Sequence, residues 1–172
     1  LESLYLIKCS VPLWILCNEQ RTRNKEQGTK NKEQRTRKML LYPNCKINIG
    51  LRVLNKREDG YHNIETIFVP IYGLHDELEV NRADVFGFVQ EGIAIDCHDD
   101  DNLIIRCYRQ MAAKYASIGP VHIRFRKQIP FGAGLGGGSS DAAHMAIALN
   151  ELFALGLTKE QLAAEVRSLG AD

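Results

Sequence analysis

The chain has 172 residues, 45% hydrophobic and 25% charged, enough apolar side chain for one domain with its own core. Its 22 Lys+Arg against 21 Asp+Glu give a net charge of +1, which leaves no electrostatic case for nucleic acid as the main partner. The 5 cysteines include no C-x-x-C pair, which argues against a zinc site or disulfide framework and fits reduced thiols in a cytosol.

Residues 1–38 differ in character from the rest. The stretch from Leu4 to Cys17 is apolar but interrupted by Lys8, is too short to span a bilayer, and lacks the basic start of a signal peptide. A polar tract follows, in which Asn24-Lys25-Glu26-Gln27-Gly28-Thr29-Lys30 is echoed by Asn31-Lys32-Glu33-Gln34-Arg35-Thr36-Arg37. No position of this repeat is apolar, so no coiled-coil seam can form. Because the chain opens on Leu1 and its first Met is Met39, we expect residues 1–38 to be translated upstream sequence, disordered if made.

From Lys46 to Val53 the pattern alternates, which predicts a half-buried strand with Ile47, Ile49, Leu51 and Val53 inward and Lys46, Asn48 and Gly50 on the other face. Arg57-Glu58-Asp59-Gly60 predicts a turn. Strands are expected over Ile64–Ile71, Asp76–Asn81 and Phe86–Val89, with another over Ile93–Asp96. Asp99-Asp100-Asp101-Asn102 precedes an apolar-periodic stretch, Leu103–Tyr115, and suits a helix start through capping and the macrodipole; capping explains this acidic run without a metal. Val121, Ile123 and Phe125 alternate with polar residues and predict a strand running into a glycine-rich loop. Beyond the loop, Ala142, Met145, Ala146, Leu149 and Phe153 fall at helical spacing, with Ser139 or Ser140 as the expected N-cap and Gly156 as the stop. Thr158 with Gln161 predicts a capping box for a last helix ending at Gly170. The order predicts an α+β domain, a mixed sheet with helices on one face.

The loop Pro130-Phe131-Gly132-Ala133-Gly134-Leu135-Gly136-Gly137-Gly138-Ser139-Ser140 is the most informative segment. Glycines let backbone approach a ligand closely, and the helix start beyond them offers free N–H groups and a positive dipole end, so a phosphate chain is the natural ligand. Ser139 and Ser140 can add hydroxyls to phosphate oxygens or to a magnesium ion. A P-loop is excluded, because no Lys follows the glycines. Gly132 to Gly137 matches G-x-G-x-x-G, but Glu151 lies within a helical pattern and not at the strand end a dinucleotide fold needs.

This loop resembles the phosphate loop of the GHMP kinases, a superfamily that includes galactokinase, homoserine kinase and mevalonate kinase. Lys46-Ile47-Asn48-Ile49-Gly50-Leu51, Arg57-Glu58-Asp59-Gly60-Tyr61-His62 and Gly170-Ala171-Asp172 resemble the branch acting on a cytidine-diphosphate-linked methylerythritol in the non-mevalonate isoprenoid pathway. The resemblance runs from about Met39 to Asp172, so residues 39–172 are expected to be the family's N-terminal ATP-binding domain, a fold type shared with a ribosomal protein domain. It implies ATP as phosphoryl donor, held by Pro130–Ser140, with Mg²⁺. It places Lys46 and Asp172 on the catalytic lysine and aspartate, and Asn48, Tyr61 and His62 against the small-molecule substrate. No metal-ligating residue is assigned. It further implies a cytoplasmic bacterial enzyme without nucleic-acid or membrane partners, and leaves a homodimer of the full-length enzyme open. Without the resemblance, Lys46 reads as a strand lysine and Tyr61-His62 as loop packing. Family members continue beyond Asp172 into a second domain, so we expect this chain alone to show little or no kinase activity. The alternatives are another GHMP kinase, a non-catalytic ATP-binding module, and an α+β RNA-binding domain, which the charge balance disfavours.

Overall fold

The computed structural model describes residues 5–8, 38–56, 58, 62–94, 99–167 and 169. Along these the chain forms β1 (Tyr5–Lys8), β2 (Lys38–Leu41), β3 (Asn44–Lys56), β4 (His62–His75), β5 (Glu77–Arg82) and β6 (Gly87–Gly92). A 3-10 turn (Asp99–Asp101), α1 (Leu103–Lys114), β7 (Val121–Lys127), α2 (Gly137–Phe153) and α3 (Lys159–Val166) follow. The strands make two sheets, of order β1-β4-β3 and β2-β5-β7-β6. The first is antiparallel; in the second β6 runs parallel to β7, joined through α1, and the other pairs are antiparallel. The fold is thus the expected α+β type with a mixed sheet.

Alternation sets the core. Leu78 and Val80 of β5 and Val121, Ile123 and Phe125 of β7 point to one face and are buried, while Glu79, Arg124 and Arg126 take the other. All three helices pack on the apolar face. Helix α2 is central: Ala142, Ala143, Met145, Ala146, Ala148, Leu149 and Leu152 are all buried. Helices α1 and α3 both pack on α2 and also meet each other, where Lys114 and Tyr115 bond the Glu165 carboxylate.

Several expectations are corrected. Within residues 1–38, Tyr5–Lys8 forms a strand paired with Glu65–Phe68 of β4, its apolar run Tyr5-Leu6-Ile7 suiting a sheet edge. The α1 cap is Asn102, whose side chain accepts from the Ile104 N–H at 3.0 Å; the aspartates form the preceding turn, and Asp100 pairs with Arg109. β6 ends at Gly92, whose φ of +82° brings the chain against the Lys127 carbonyl, so Ile93 and Ala94 are not strand; Ile95 and Asp96 lie outside the described residues. Helix α2 ends at Ala154, φ +51°, two residues before Gly156. The Thr158–Gln161 capping box is present, with both reciprocal bonds. Gly170 lies outside the described residues.

The strand 46–53 forms within β3, but a register shift between Ile49 and Arg52, at Gly50 with φ +67°, breaks the alternation, so Val53 does not share the face of Ile47 and Ile49. Ile47, Ile49, Leu51 and Val53 are 40%, 49%, 53% and 59% exposed. The apolar cluster beneath the helices draws on the four-stranded sheet and includes no residue of β3 or β4. The face opposite Ile47 and Ile49, carrying Lys46 and Asn48, is the one turned to the glycine loop.

Candidate functional site

β7 delivers the chain to Pro130, and the loop runs exposed through Gly134 before turning inward to α2. Gly132, Gly134 and Gly136 have φ of +71°, +70° and +68°, a region closed to most side chains, so the alternating glycines are what allow this path. Helix α2 opens at Gly137 on Gly136 as its N-cap, three residues before Ser139 and four before Ser140, and has no side-chain cap. Its first helical bond runs from Ser140 N–H to Gly136 O at 3.0 Å, which leaves the N–H groups of Gly137, Gly138 and Ser139 ahead of the ladder. A serine cap would have occupied one of these donors. Leaving them free, with no acidic residue in the first turn, makes the helix start an anion-binding concavity.

Lys46 joins β3 to this loop. Its backbone N–H donates to Leu135 O at 2.9 Å, and its ammonium donates to Gly134 O at 2.9 Å. Its stem lies against Gly136, where an added Cβ would come 2.9 Å from the Lys46 Cε. The ammonium also sits 5.6 Å from the Phe68 ring centroid. Asn48, two residues along on the same face, pairs with Phe68 and holds its Oδ1 buried with no hydrogen-bond partner. Lys46, Asn48 and the loop are therefore brought together.

His62 is not. It stands exposed at the start of β4, opposite Lys56, while Pro70 is opposite Lys46. Eight residues of strand separate these positions, roughly 27 Å along the hairpin. Tyr61 and Asp172 lie outside the described residues.

Sequence reasoning missed a buried ionic cluster beneath the loop. Lys127 is 2% exposed, and its ammonium donates to Asp76 Oδ2 at 2.6 Å and to Asp141 Oδ2 at 2.9 Å. Asp76 Oδ1 accepts from the Gln128 and Ile129 N–H groups at 2.6 and 2.9 Å, and the Asp76 N–H donates to Pro43 O. Asp141 Oδ1 has no partner. Burial pushes the Asp141 carboxyl well above the usual range, opposed by Lys127 and reinforced by Asp76. Burial would lower the Lys127 ammonium, but the two carboxylates outweigh it and leave it raised. The signal was present in the sequence: Val121, Ile123 and Phe125 point inward, and Lys127 is the next residue of that series.

Among the described residues, no group of three or more His, Cys, Asp or Glu is placed to hold a metal, and no helix is long and apolar enough to cross a membrane. Cys45 and Cys107 are buried and unpaired by disulfides, while Cys9, Cys17 and Cys97 lie outside the described residues.

Residues 102–172 match the family described as GHMP kinases N terminal domain. The chain is 48% identical over 134 residues to the 4-diphosphocytidyl-2-C-methyl-D-erythritol kinase of Azobacteroides pseudotrichonymphae, covering 78% of this chain and 49% of that protein. It is 46% identical over 134 residues to the same-named kinase of Parabacteroides distasonis, with the same coverage. Among solved structures it is similar to a 4-(cytidine 5'-diphospho)-2C-methyl-D-erythritol kinase, at TM-score 0.63 and 39% identity over 78% of this chain and 47% of that one. A mevalonate pyrophosphate decarboxylase from Streptococcus pyogenes, 17% identical at TM-score 0.52, shares the fold. The chain spans about half the length of the curated relatives it matches. Residues 102–172 carry the fold of the GHMP kinases N terminal domain, and the chain is similar to such kinases over 78% of its length.

Proposed function

We propose that this chain is the nucleotide-binding half of a kinase that moves the γ-phosphoryl group of ATP to the 2-hydroxyl of 4-diphosphocytidyl-2-C-methyl-D-erythritol. The observation that carries this reading is the Lys46 ammonium, held on the loop carbonyl of Gly134 beside the free N–H groups that open α2. Phosphoryl transfer depends mainly on positioning and on charge stabilisation. The N–H groups of Gly137, Gly138 and Ser139 would hold phosphate oxygens, and Lys46 would stabilise the charge that develops as the group moves. Asp172 would orient or deprotonate the acceptor hydroxyl, and Tyr61 and His62 would meet the cytidine end by stacking and hydrogen bonding.

Magnesium suits this arrangement lightly. The ion commonly keeps several waters and binds through phosphates with one or two protein oxygens. The Ser139 hydroxyl at the helix start and the unpartnered Asn48 Oδ1 are the protein oxygens that would hold it. Bound there, the ion would neutralise phosphate charge.

The relatives' names support the substrate, and the test is direct. A protein carrying this chain at the relatives' full length is assayed with ATP and, in turn, the cytidine-linked tetritol, homoserine and mevalonate. Turnover is expected with the first acceptor and not with the others; the reverse pattern overturns the substrate. Asp172→Asn in that protein is expected to abolish nearly all turnover while ATP still binds, and full activity would remove Asp172 from the mechanism.

A second reading has one observation in its favour, the half-length match. On it, this chain alone binds ATP without turning it over. Measurable turnover by purified residues 39–172 would exclude that.

A further inference from the structure

Two ends of the glycine loop converge on one buried cation. On the strand side, Asp76 accepts the Gln128 and Ile129 N–H groups, the two residues before Pro130, and also takes a bond from Lys127. On the helix side, Asp141 follows directly on Ser140, and its Oδ2 accepts from the same ammonium. The ammonium lies beneath the first residue of α2: a Cβ added to Gly137 would stand 3.1 Å from the Lys127 Nζ and 2.9 Å from the Ile129 side chain. Asp76 in turn is tied to Pro43, three residues before Lys46.

Stability alone does not call for this design. A buried ion pair replaced by well-packed apolar residues is often as stable or more so, whereas buried charges fix one geometry, because an unpartnered one is costly. These three residues sit where a fixed geometry matters: at both roots of a loop with three left-handed glycines and little side-chain packing of its own.

We propose that Asp76, Lys127 and Asp141 act as positioning residues for the glycine loop, clamping both its ends to one ammonium so that the N–H groups of Gly137, Gly138 and Ser139 stay aimed at a polyphosphate. The inference rests on the nucleotide reading above. None of the three touches the nucleotide; they act through the backbone they hold.

The test uses this chain and two variants at Asp141. Binding of Mg·ATP and of adenosine is measured by calorimetry, and amide hydrogen exchange is followed over Gly136–Ser140. Asp141→Ala removes the helix-side tie and is expected to weaken Mg·ATP binding about tenfold, the effect of losing one charge-assisted hydrogen bond. Adenosine, which carries no phosphate, is expected to bind as before. Asp141→Asn keeps an acceptor for Lys127 but not its charge, so a smaller loss of about threefold is expected. Loop exchange is expected to speed up in both variants, more in the first. A purely structural role would shift ATP and adenosine together or neither. A folded Asp141→Ala protein with wild-type ATP affinity and loop exchange overturns the proposal. If that variant does not fold, Asp141→Asn decides by the same two readouts. A wild-type chain that fails to bind ATP at all overturns the nucleotide reading itself.

Discussion

β7 and β3 carry the same alternation and meet opposite fates. In β7, Val121, Ile123 and Phe125 are at most 1% exposed, because α1 and α2 cover them. In β3, Ile47, Ile49, Leu51 and Val53 are at least 40% exposed. Period-two patterning shows neither where a bulge breaks the alternation, as between Ile49 and Arg52, nor whether a second layer arrives to cover a face. In β3 the polar face is the one that meets another element, through Lys46 and the loop.

The largest expected effect breaks or confirms that contrast. Phe125→Ala is expected to destabilise the chain by about 3–5 kcal/mol, through lost burial and the cavity left behind. Val53→Ala, at a site 59% exposed, is expected to change stability by no more than ~0.5 kcal/mol. Urea unfolding of both variants measures the pair. Equal losses would mean that the hairpin face is as well covered as the core.

Two left-handed glycines, one in each region, give an intermediate effect. Gly50, φ +67°, lies on the hairpin with nothing within 4 Å of an added Cβ. Gly136, φ +68°, would put that Cβ 2.9 Å from the Lys46 Cε. Gly50→Ala therefore carries only the backbone cost, about 1 kcal/mol. Gly136→Ala carries the same cost and must also push Lys46 off the loop. It is expected to lose more stability than Gly50→Ala and, in addition, to weaken ATP binding, which Gly50→Ala leaves alone. Titration of Mg·ATP into the two variants separates them; equal affinities would show that the Lys46 contact is dispensable.

Much of this was legible in residue patterns, for stated reasons. The capping box at Thr158 is a local device, complete within four residues, and it forms as read. The loop glycines announce positive φ, and three of them adopt it. The start of α2 was misread because a serine is the commonest cap, whereas here the glycine backbone opens the helix and its donors stay free. Lys127 was passed over because a charged residue at the end of a strand reads as surface. Its burial depends on Asp76 and Asp141, distant in sequence and brought to it only by the fold. The exposure of Ile47 to Val53 likewise depends on what packs where, which no local pattern states.

The smallest expected effect concerns protons in the covered region. His144 lies one turn beyond Ser140 on α2, and its Nδ1 is 2.8 Å from the Ser140 carbonyl, to which the ring N–H donates. Burial lowers its pKa below the ordinary value, and the Ser140 carbonyl offsets this only in part. The unfolded chain then takes up a proton more readily than the folded one, near the usual value of about 6.5. The stability linked to this histidine is complete above that pH and is lost as the pH falls toward and through the folded value. His144→Asn keeps a donor for Ser140 and removes the titration. Between pH 7 and pH 5, the urea midpoint of the wild type is expected to fall further than that of the variant. Parallel pH slopes for the two proteins would show that His144 stays protonation-silent in the folded chain, and that the acid sensitivity of the covered layer lies elsewhere.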